Sequence, residues 1–412
     1  MTGHRVVLTG LGALSSIGLG ATEFAAGLRA GRSGARDITA FDTTGFEHSR
    51  GCEVRGFEPG DWIRNLPVES LGRASRFAVA AARMALEDAG LTPELLRSRR
   101  GMVAVGTTDG ESNELDELAA AGIAGGPESL TPQQVRRVPP SRLSTAIARE
   151  LELGDVEATT IATACSAGNY ALGYGFDAVK AGEAEFALCG GADAICRKTF
   201  AGFYRLGTIA PDNCRPFDIG RKGILTGEGA GVLLLETLDS ALARGARIHA
   251  EVLGYGLNCD AYHQVAPNQD GVAQCMRLAL EDAGLDPAQV DLVSAHGTGT
   301  KANDVTECGA IHDVFGADAP RTVSLKSMLG HTMGAASALA AIAGALAIRE
   351  GFVFPTINHV ETDPECAVDC VPNHAVDAEI DVVQNNGMAF GGNNASVVLG
   401  RYPALAGSGR AA

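Results

Sequence analysis

The chain is short of aromatic residues, of positive charge and of long apolar runs, and each shortage excludes something. Phe, Tyr and Trp make up only 5% of 412 residues while glycine occurs 53 times, a balance that suits tight turns and close backbone approaches in a large α/β protein. With 33 basic against 49 acidic side chains the formal charge is −16, so the surface as a whole does not neutralise nucleic-acid phosphates or anionic lipid. Neither nucleic acid nor membrane is therefore expected as a partner. No run of about twenty apolar residues, the length of a membrane span, appears. The opening MTGHRVVLTG passes into a strand-like segment without the basic and apolar regions of an export signal, which gives a cytoplasmic expectation. There is no GxxxxGK(S/T) loop, no GxGxxG opening a helix after the first strand and no GxSxG elbow, and GEGAG precedes a strand, so no nucleotide cofactor is expected. Ten cysteines are scattered through the chain and read as reduced thiols. The nearest pair, Cys366 and Cys370, lacks a second cysteine or histidine pair at zinc-site spacing, so no metal is expected either.

What is present first is size: 412 residues, 46% hydrophobic and 20% charged, bury a large core. The organisation is duplicated. ALEDAGL occurs at Ala85–Leu91 and again at Ala279–Leu285. Each copy ends a helix-periodic segment (Phe77, Ala80, Ala81, Met84 and Ala85 in the first), stops at a glycine suited to a C-cap, and leads to an apolar strand, MVAVGTT or DLVSAHGTGT. ATACSAG and MLGHTMGAAS then open small-residue helices, which puts Cys165 and His331 at comparable helix starts, and GEGAGVLLLE and GGNNASVVLG read as matching glycine-led strands. Coincidence in an Ala- and Gly-rich chain accounts for one such match, not for several in the same order. The expectation is an α/β fold of two βα-rich halves, 1–248 with Cys165 and 249–401 with His296 and His331, followed by a flexible tail, 402–412.

Several residues have the chemistry of a site. Cys165 follows a β-branched strand and precedes a helix, where the positive end of the helix dipole is expected to lower a thiol pKa. The bland alternative, a small buried core residue, applies equally to any one of ten cysteines. His296 follows an apolar strand and His331 opens a helix, positions from which neutral imidazoles hydrogen-bond an oxyanion or move a proton; each alone is as well explained as a structural histidine. Lys326 stands in a stretch otherwise uncharged from Val323 to Ile348, which is costly unless the lysine is paired or functional. The NNGMAFGGNNAS turn around Phe390 offers backbone N–H groups to an oxyanion, or is an ordinary turn.

In order, VVLTGLGALSSIG, TACSAG, RPFDIGRKGILTGEGAG, HGTGTKANDVTE, SLKSMLGHTMGAAS and NGMAFGGNN span nearly the whole chain. They resemble successive signatures of the β-ketoacyl synthases, the condensing enzymes of fatty-acid and polyketide assembly. The resemblance implies a thiolase-like fold with a layered αβαβα architecture. It implies Cys165 as the acyl-accepting nucleophile and His296 and His331 as the pair that promotes decarboxylation and stabilises the enolate. Lys326 would organise the site, Glu307 support it, the backbone N–H groups of Cys165 and Phe390 form the oxyanion hole, and Phe203 and Phe390 gate it. No cofactor is implied. The implied partners are acyl- and malonyl-loaded acyl carrier protein, an acidic family, and a second subunit in a homodimer or in a heterodimer with a chain-length-factor-like chain. Arg136, Arg137, Arg73, Arg76 and Arg205 are the candidate landing residues for the carrier.

The sequence also departs from the family pattern. Ala340 stands nine residues after His331 where elongating synthases usually carry a glutamate, Lys301 replaces a common proline, Lys222 replaces a common acid, and Asp109 and Glu111 make GTTDGES polar where fatty-acid enzymes are apolar. These departures point to a type II polyketide or specialised, polyene-type synthase. The alternatives are a housekeeping fatty-acid elongation enzyme and an acyltransferase or decarboxylase that does not condense. A thiolase is disfavoured because it pairs its nucleophile with a second cysteine where this chain has histidines, and a non-catalytic chain-length subunit is disfavoured because Cys165 is present.

Overall fold

Ten strands, numbered in chain order, carry the architecture in a computed structural model that describes residues 3–403. They are β1 (Val6–Ser15), β2 (Gly101–Gly106), β3 (Val156–Ile161), β4 (Phe186–Asp193), β5 (Gly229–Thr237), β6 (Ala250–Cys259), β7 (Leu292–Ser294), β8 (Arg321–Val323), β9 (Val382–Gly387) and β10 (Asn393–Gly400). Residues 404–412, most of the expected flexible tail, lie outside the described residues.

The strand order is β8-β7-β9-β10-β6-β1-β5-β4-β2-β3. Counted within each half, that is third, second, fourth, fifth, first on both sides of the β1–β6 junction. The directions repeat too: β2 is parallel to β3 and β4 while β5 runs against β4 and β1, and β7 is parallel to β8 and β9 while β10 runs against β9 and β6. The halves join through a short antiparallel contact, Val6↔Val252 to Leu8↔Ala250. The matching motifs in the sequence thus mark equivalent elements. Helices Arg73–Asp88 and Gln269–Ala283 carry the two ALED copies on the outer faces.

Side-chain alternation sorts the core into three layers. In β5, Leu233 and Leu235 face one cluster while Val232 and Leu234 face another, because successive residues of a strand point to opposite faces. A strand buried on both sides therefore reads as a continuous apolar run, which is what VLLL is. The inner layer holds the helices Ala167–Lys180 and Ala336–Glu350, packed between the two half-sheets, while outer clusters lie under Arg73–Asp88 and under Gln269–Ala283 with Lys301–Phe315. This is the αβαβα layering. The central helices are built from small residues because their backbones nearly touch: a Cβ on Gly168 would lie 2.7 Å from the Ala338 nitrogen. The segment Met333–Glu350 is long and apolar enough to cross a membrane, but 89% of it is buried inside the core.

Candidate active site

β3 ends at Ile161, and the chain turns through Ala164–Ser166 before the helix Ala167–Lys180 begins. In the second half the equivalent turn is Met333–Ala335 before Ala336–Glu350. Both turns contain a non-glycine residue in the left-handed region, Ala164 at φ 53° and Met333 at φ 51°, a conformation that costs on the order of 1–3 kcal/mol and persists only where the surroundings fix it. Aligning them shows that the expected equivalence of Cys165 and His331 is offset: Cys165 corresponds to Gly334, and His331 to Ala162.

Cross-half hydrogen bonds lock the two turns together. The Asn169 amide nitrogen donates to the Asn385 and Ala395 carbonyls, the Asn385 side chain donates to Asn169 Oδ1 and to the Ser337 carbonyl, and Ser337 Oγ accepts from the Asn169 backbone N–H at 3.0 Å. Asp193, the last residue of β4, accepts from the Gly334 N–H at 2.6 Å, from Thr107 Oγ1, and from the N–H groups of Thr108 and Asp109. Burial and the nearby charge of Asp109 push its carboxyl up to about 7. No role was expected of Asp193. The available signal was a lone acid at the end of the apolar run FALCGGAD.

Cys165, His296, His331, Phe203 and Phe390 line one cavity of about 220 Å³. The imidazole centroids are 5.4 Å apart, Phe203 lies 6.3 Å from His331, and the two phenylalanines face each other at 5.6 Å. His331 Nδ1 accepts the Met333 N–H at 3.1 Å, which leaves Nε2 to carry the ring proton. Lys326 Nζ donates to the His296 carbonyl at 2.5 Å and sits 3.3 Å from His296 Nδ1, an arrangement that again assigns the proton to Nε2. Burial and the Lys326 charge hold both imidazoles well below their usual pKa, so both are neutral at physiological pH. Glu307 accepts the N–H groups of His296 and Gly297 at 2.8 and 2.7 Å and so fixes the backbone of the first histidine. The loop bearing Phe390 turns on Gly391 and Gly392, both in the left-handed region, and a Cβ on Gly392 would lie 2.2 Å from Asp260 Oδ1.

The thiol pKa departs from expectation. Burial pushes Cys165 up to about 12, outweighing the opposite pull of Lys326, so the nucleophile is held as a buried thiol. Helix position alone misjudged this because the dipole argument takes no account of desolvation.

Lys326 and Ala340 line the same small cavity of about 10 Å³, with Ser337 and Asn386. Ala340 brings no carboxylate to this cavity, and the Lys326 ammonium donates to the His296 carbonyl. Asp109 is buried, ion-paired to Lys198 at 2.9 Å and bonded by Thr199 Oγ1, which makes the loop after β2 polar as expected.

The five arginines do not form one free patch. Arg73 is committed to buried Glu228 through two hydrogen bonds, and Arg76 to the carbonyls of Val68 and Leu71. These two are internal connectors rather than loose surface cations. Arg137 reaches Glu117 at 3.3 Å, Arg136 is exposed, and Arg205 is exposed on the Phe203 helix, Arg197–Arg205. A wider cleft of about 380 Å³ is lined by Arg64, Arg83 and Arg97, but each already has a carboxylate partner. Further cavity walls, missed in the sequence, include the aperiodic loop with His263, Val265, Ala266 and Pro267, and Thr298 and Thr300.

Comparison with known proteins gives the same picture. Residues 3–241 match the family model "Beta-ketoacyl synthase, N-terminal domain" and residues 249–360 match "Beta-ketoacyl synthase, C-terminal domain". A 3-oxoacyl-[acyl-carrier-protein] synthase 2 of Synechocystis sp. is 37% identical over 97% of this chain and 98% of its own length. The solved ishigamide ketosynthase/chain length factor is 62% identical with a TM-score of 0.96, covering 97% of this chain and 100% of the matched one. The type II polyketide ketosynthase of AntDE:AntF, solved in complex with its acyl-carrier protein, is 30% identical with a TM-score of 0.89 over 97% and 99%.

Proposed function

The chain belongs to the β-ketoacyl synthase family, and from that premise we propose that it condenses an acyl chain held on Cys165 with a malonyl unit carried by an acyl carrier protein. The supporting observation is one cavity lined by a thiol and two neutral imidazoles, each with Nδ1 engaged and Nε2 left as a donor.

The Cys165 sulfur attacks the acyl thioester, the carrier thiol leaves with the proton, and the tetrahedral oxygen is held by the backbone N–H groups of Cys165 and Phe390. A malonyl thioester follows. As its carboxylate departs as carbon dioxide, the enolate oxygen accepts from His296 and His331, so no strong base is needed. The enolate carbon attacks the acyl-cysteine carbonyl, a C–C bond forms, the C–S bond to Cys165 breaks, and a β-ketoacyl carrier two carbons longer is released. Lys326 and Glu307 act by orienting His296.

The working assembly in this proposal is a dimer, with a like chain or a chain-length-factor-like one, a choice for which the name of the 62% identical structure is the support. That same likeness, and the Asp109–Lys198 pair, favour polyketide or polyene-type chains over saturated fatty ones. The division into 1–248 and 249–401 is supported by the repeated strand order. The cytoplasm remains the expected compartment on sequence grounds.

Intact-mass analysis decides the function. Cys165 should gain the acyl mass from acyl carriers and lose it to a β-ketoacyl carrier when malonyl carrier is added. Formation of acetyl carrier alone would instead identify a decarboxylase, and rapid turnover of saturated long chains with polyenoyl carriers ignored would identify a fatty-acid enzyme.

A further inference from the structure

Lys326 is the one charged side chain lining the small cavity that it shares with Ala340, and part of its hydrogen-bonding capacity is unanswered there. An ammonium has three hydrogens to donate. One goes to the His296 carbonyl, and a second direction is taken by His296 Nδ1 at 3.3 Å. No group among the described residues accepts the third. Two hydroxyls in the same wall are in a similar position. Ser337 Oγ accepts the Asn169 N–H but donates to nothing among the described residues, and Thr332 Oγ1 has no partner of either kind there. Lys326, Thr332 and Ser337 are all buried, and polar groups buried without partners are costly.

The volume between these groups suits one small molecule. About 10 Å³ is the room that a single water needs, and a buried water takes roughly two to four polar partners. An ammonium in the wall repels a cation. An anion is disfavoured as well, because the buried carboxylate of Glu307 already answers the charge of Lys326. Ala340 supplies the space, since its methyl group leaves open what a longer side chain would fill.

We propose that one buried water occupies this cavity as a fixed part of the site, accepting from Lys326 and bridging it to the hydroxyls of Thr332 and Ser337. Its role rests on the ketosynthase function above. Lys326 orients His296, the Thr332 carbonyl accepts the Ala335 N–H in the turn that follows His331, and Ser337 belongs to the lock between the halves. The water therefore ties the support of one imidazole to the turn beyond the other, and so holds the two Nε2 donors at one spacing for the enolate oxygen. A water-mediated bond is nearly as favourable as a direct one, so Lys326 keeps its place without a carboxylate at position 340. The water positions other groups and touches no reacting atom.

The test uses the full chain in its native assembly. A crystal structure of the unmodified protein should show one ordered density peak at hydrogen-bond distance from Lys326 Nζ, Thr332 Oγ1 and Ser337 Oγ. No peak there, or an anomalous signal at that point after a bromide soak, overturns the water. Ala340→Val and Ala340→Thr close the cavity with the same shape, but only threonine brings a hydroxyl into it. Cys165 acylation should persist in both. Condensation with malonyl carrier should fall by about tenfold in Ala340→Val, in kcat rather than KM, and stay within about threefold of the unmodified rate in Ala340→Thr. Equal rates in the two variants overturn the bridge, and if neither variant folds the crystal structure decides alone. A density peak in an unmodified protein that does not condense sinks the ketosynthase function and leaves the water standing.

Discussion

The two turns that open the central helices have one backbone and two chemistries. Ala162 to Cys165 in the first half and His331 to Gly334 in the second share a 3-10 turn entered through a left-handed residue, yet one presents a thiol at the fourth position and the other an imidazole at the first. Duplication supplied the bend twice; side-chain divergence made one copy the nucleophile's seat and the other its partner's. The spare position in each copy has become packing, and Gly334 lies so close to Asp193 and Thr107 that no side chain fits there.

The largest effect expected is on chemistry. Replacing Cys165 by alanine should abolish acyl attachment, whereas His331→Ala should still accept an acyl group but lose condensation by on the order of 10²–10⁴, measured by single-turnover formation of the β-ketoacyl product. Equal loss of attachment and condensation in His331→Ala would show that the two turns are not divided in labour.

A smaller effect is expected on stability. A Cβ at Gly334 would stand 2.5 Å from Thr107 Cα and 2.8 Å from Asp193 Oδ2, so Gly334→Ala should destabilise by about 1–3 kcal/mol, read as a lowered urea midpoint. Cys165→Ala, at the matching position, should shift that midpoint less.

The smallest contrast lies further out. Helix Arg73–Asp88 is capped from outside by two acidic side chains, Glu111 accepting the Ser75 N–H and Glu114 the Arg73 N–H, while its counterpart Gln269–Ala283 is capped by the amide of Asn268. Burial and the charge of Glu114 push Glu111 up to about 8. The folded state therefore holds a proton that the unfolded chain releases near pH 4.3, so this contribution is full below that pH and is lost as pH rises through about 8. Glu111→Gln should flatten the pH dependence of the urea midpoint across that window, whereas Asn268→Ala should lower the unfolding free energy by about 1 kcal/mol at every pH.

Local pattern made much of this visible. The ALEDAGL pair, the small-residue helix starts and the glycine-led strands mark equivalent elements because helix and strand periodicity are written in neighbouring residues. Long-range partners were not visible. Arg73 looked like a surface cation because its acceptor, Glu228, is 155 residues away, and Asp193 was silent because its partner Gly334 belongs to the other half. The strain at Ala164 and Met333 was hidden as well, since neither is a residue type that advertises a left-handed turn.

The Asn169–Asn385–Ser337 lock has a consequence for the order of events during synthesis. Cys165 and its helix leave the ribosome well before His296, His331 and the Phe390 loop exist, and the lock closes only when β9 is in place. A nascent first half therefore carries a thiol with no imidazole to activate an incoming malonyl unit and no completed cavity to admit a thioester.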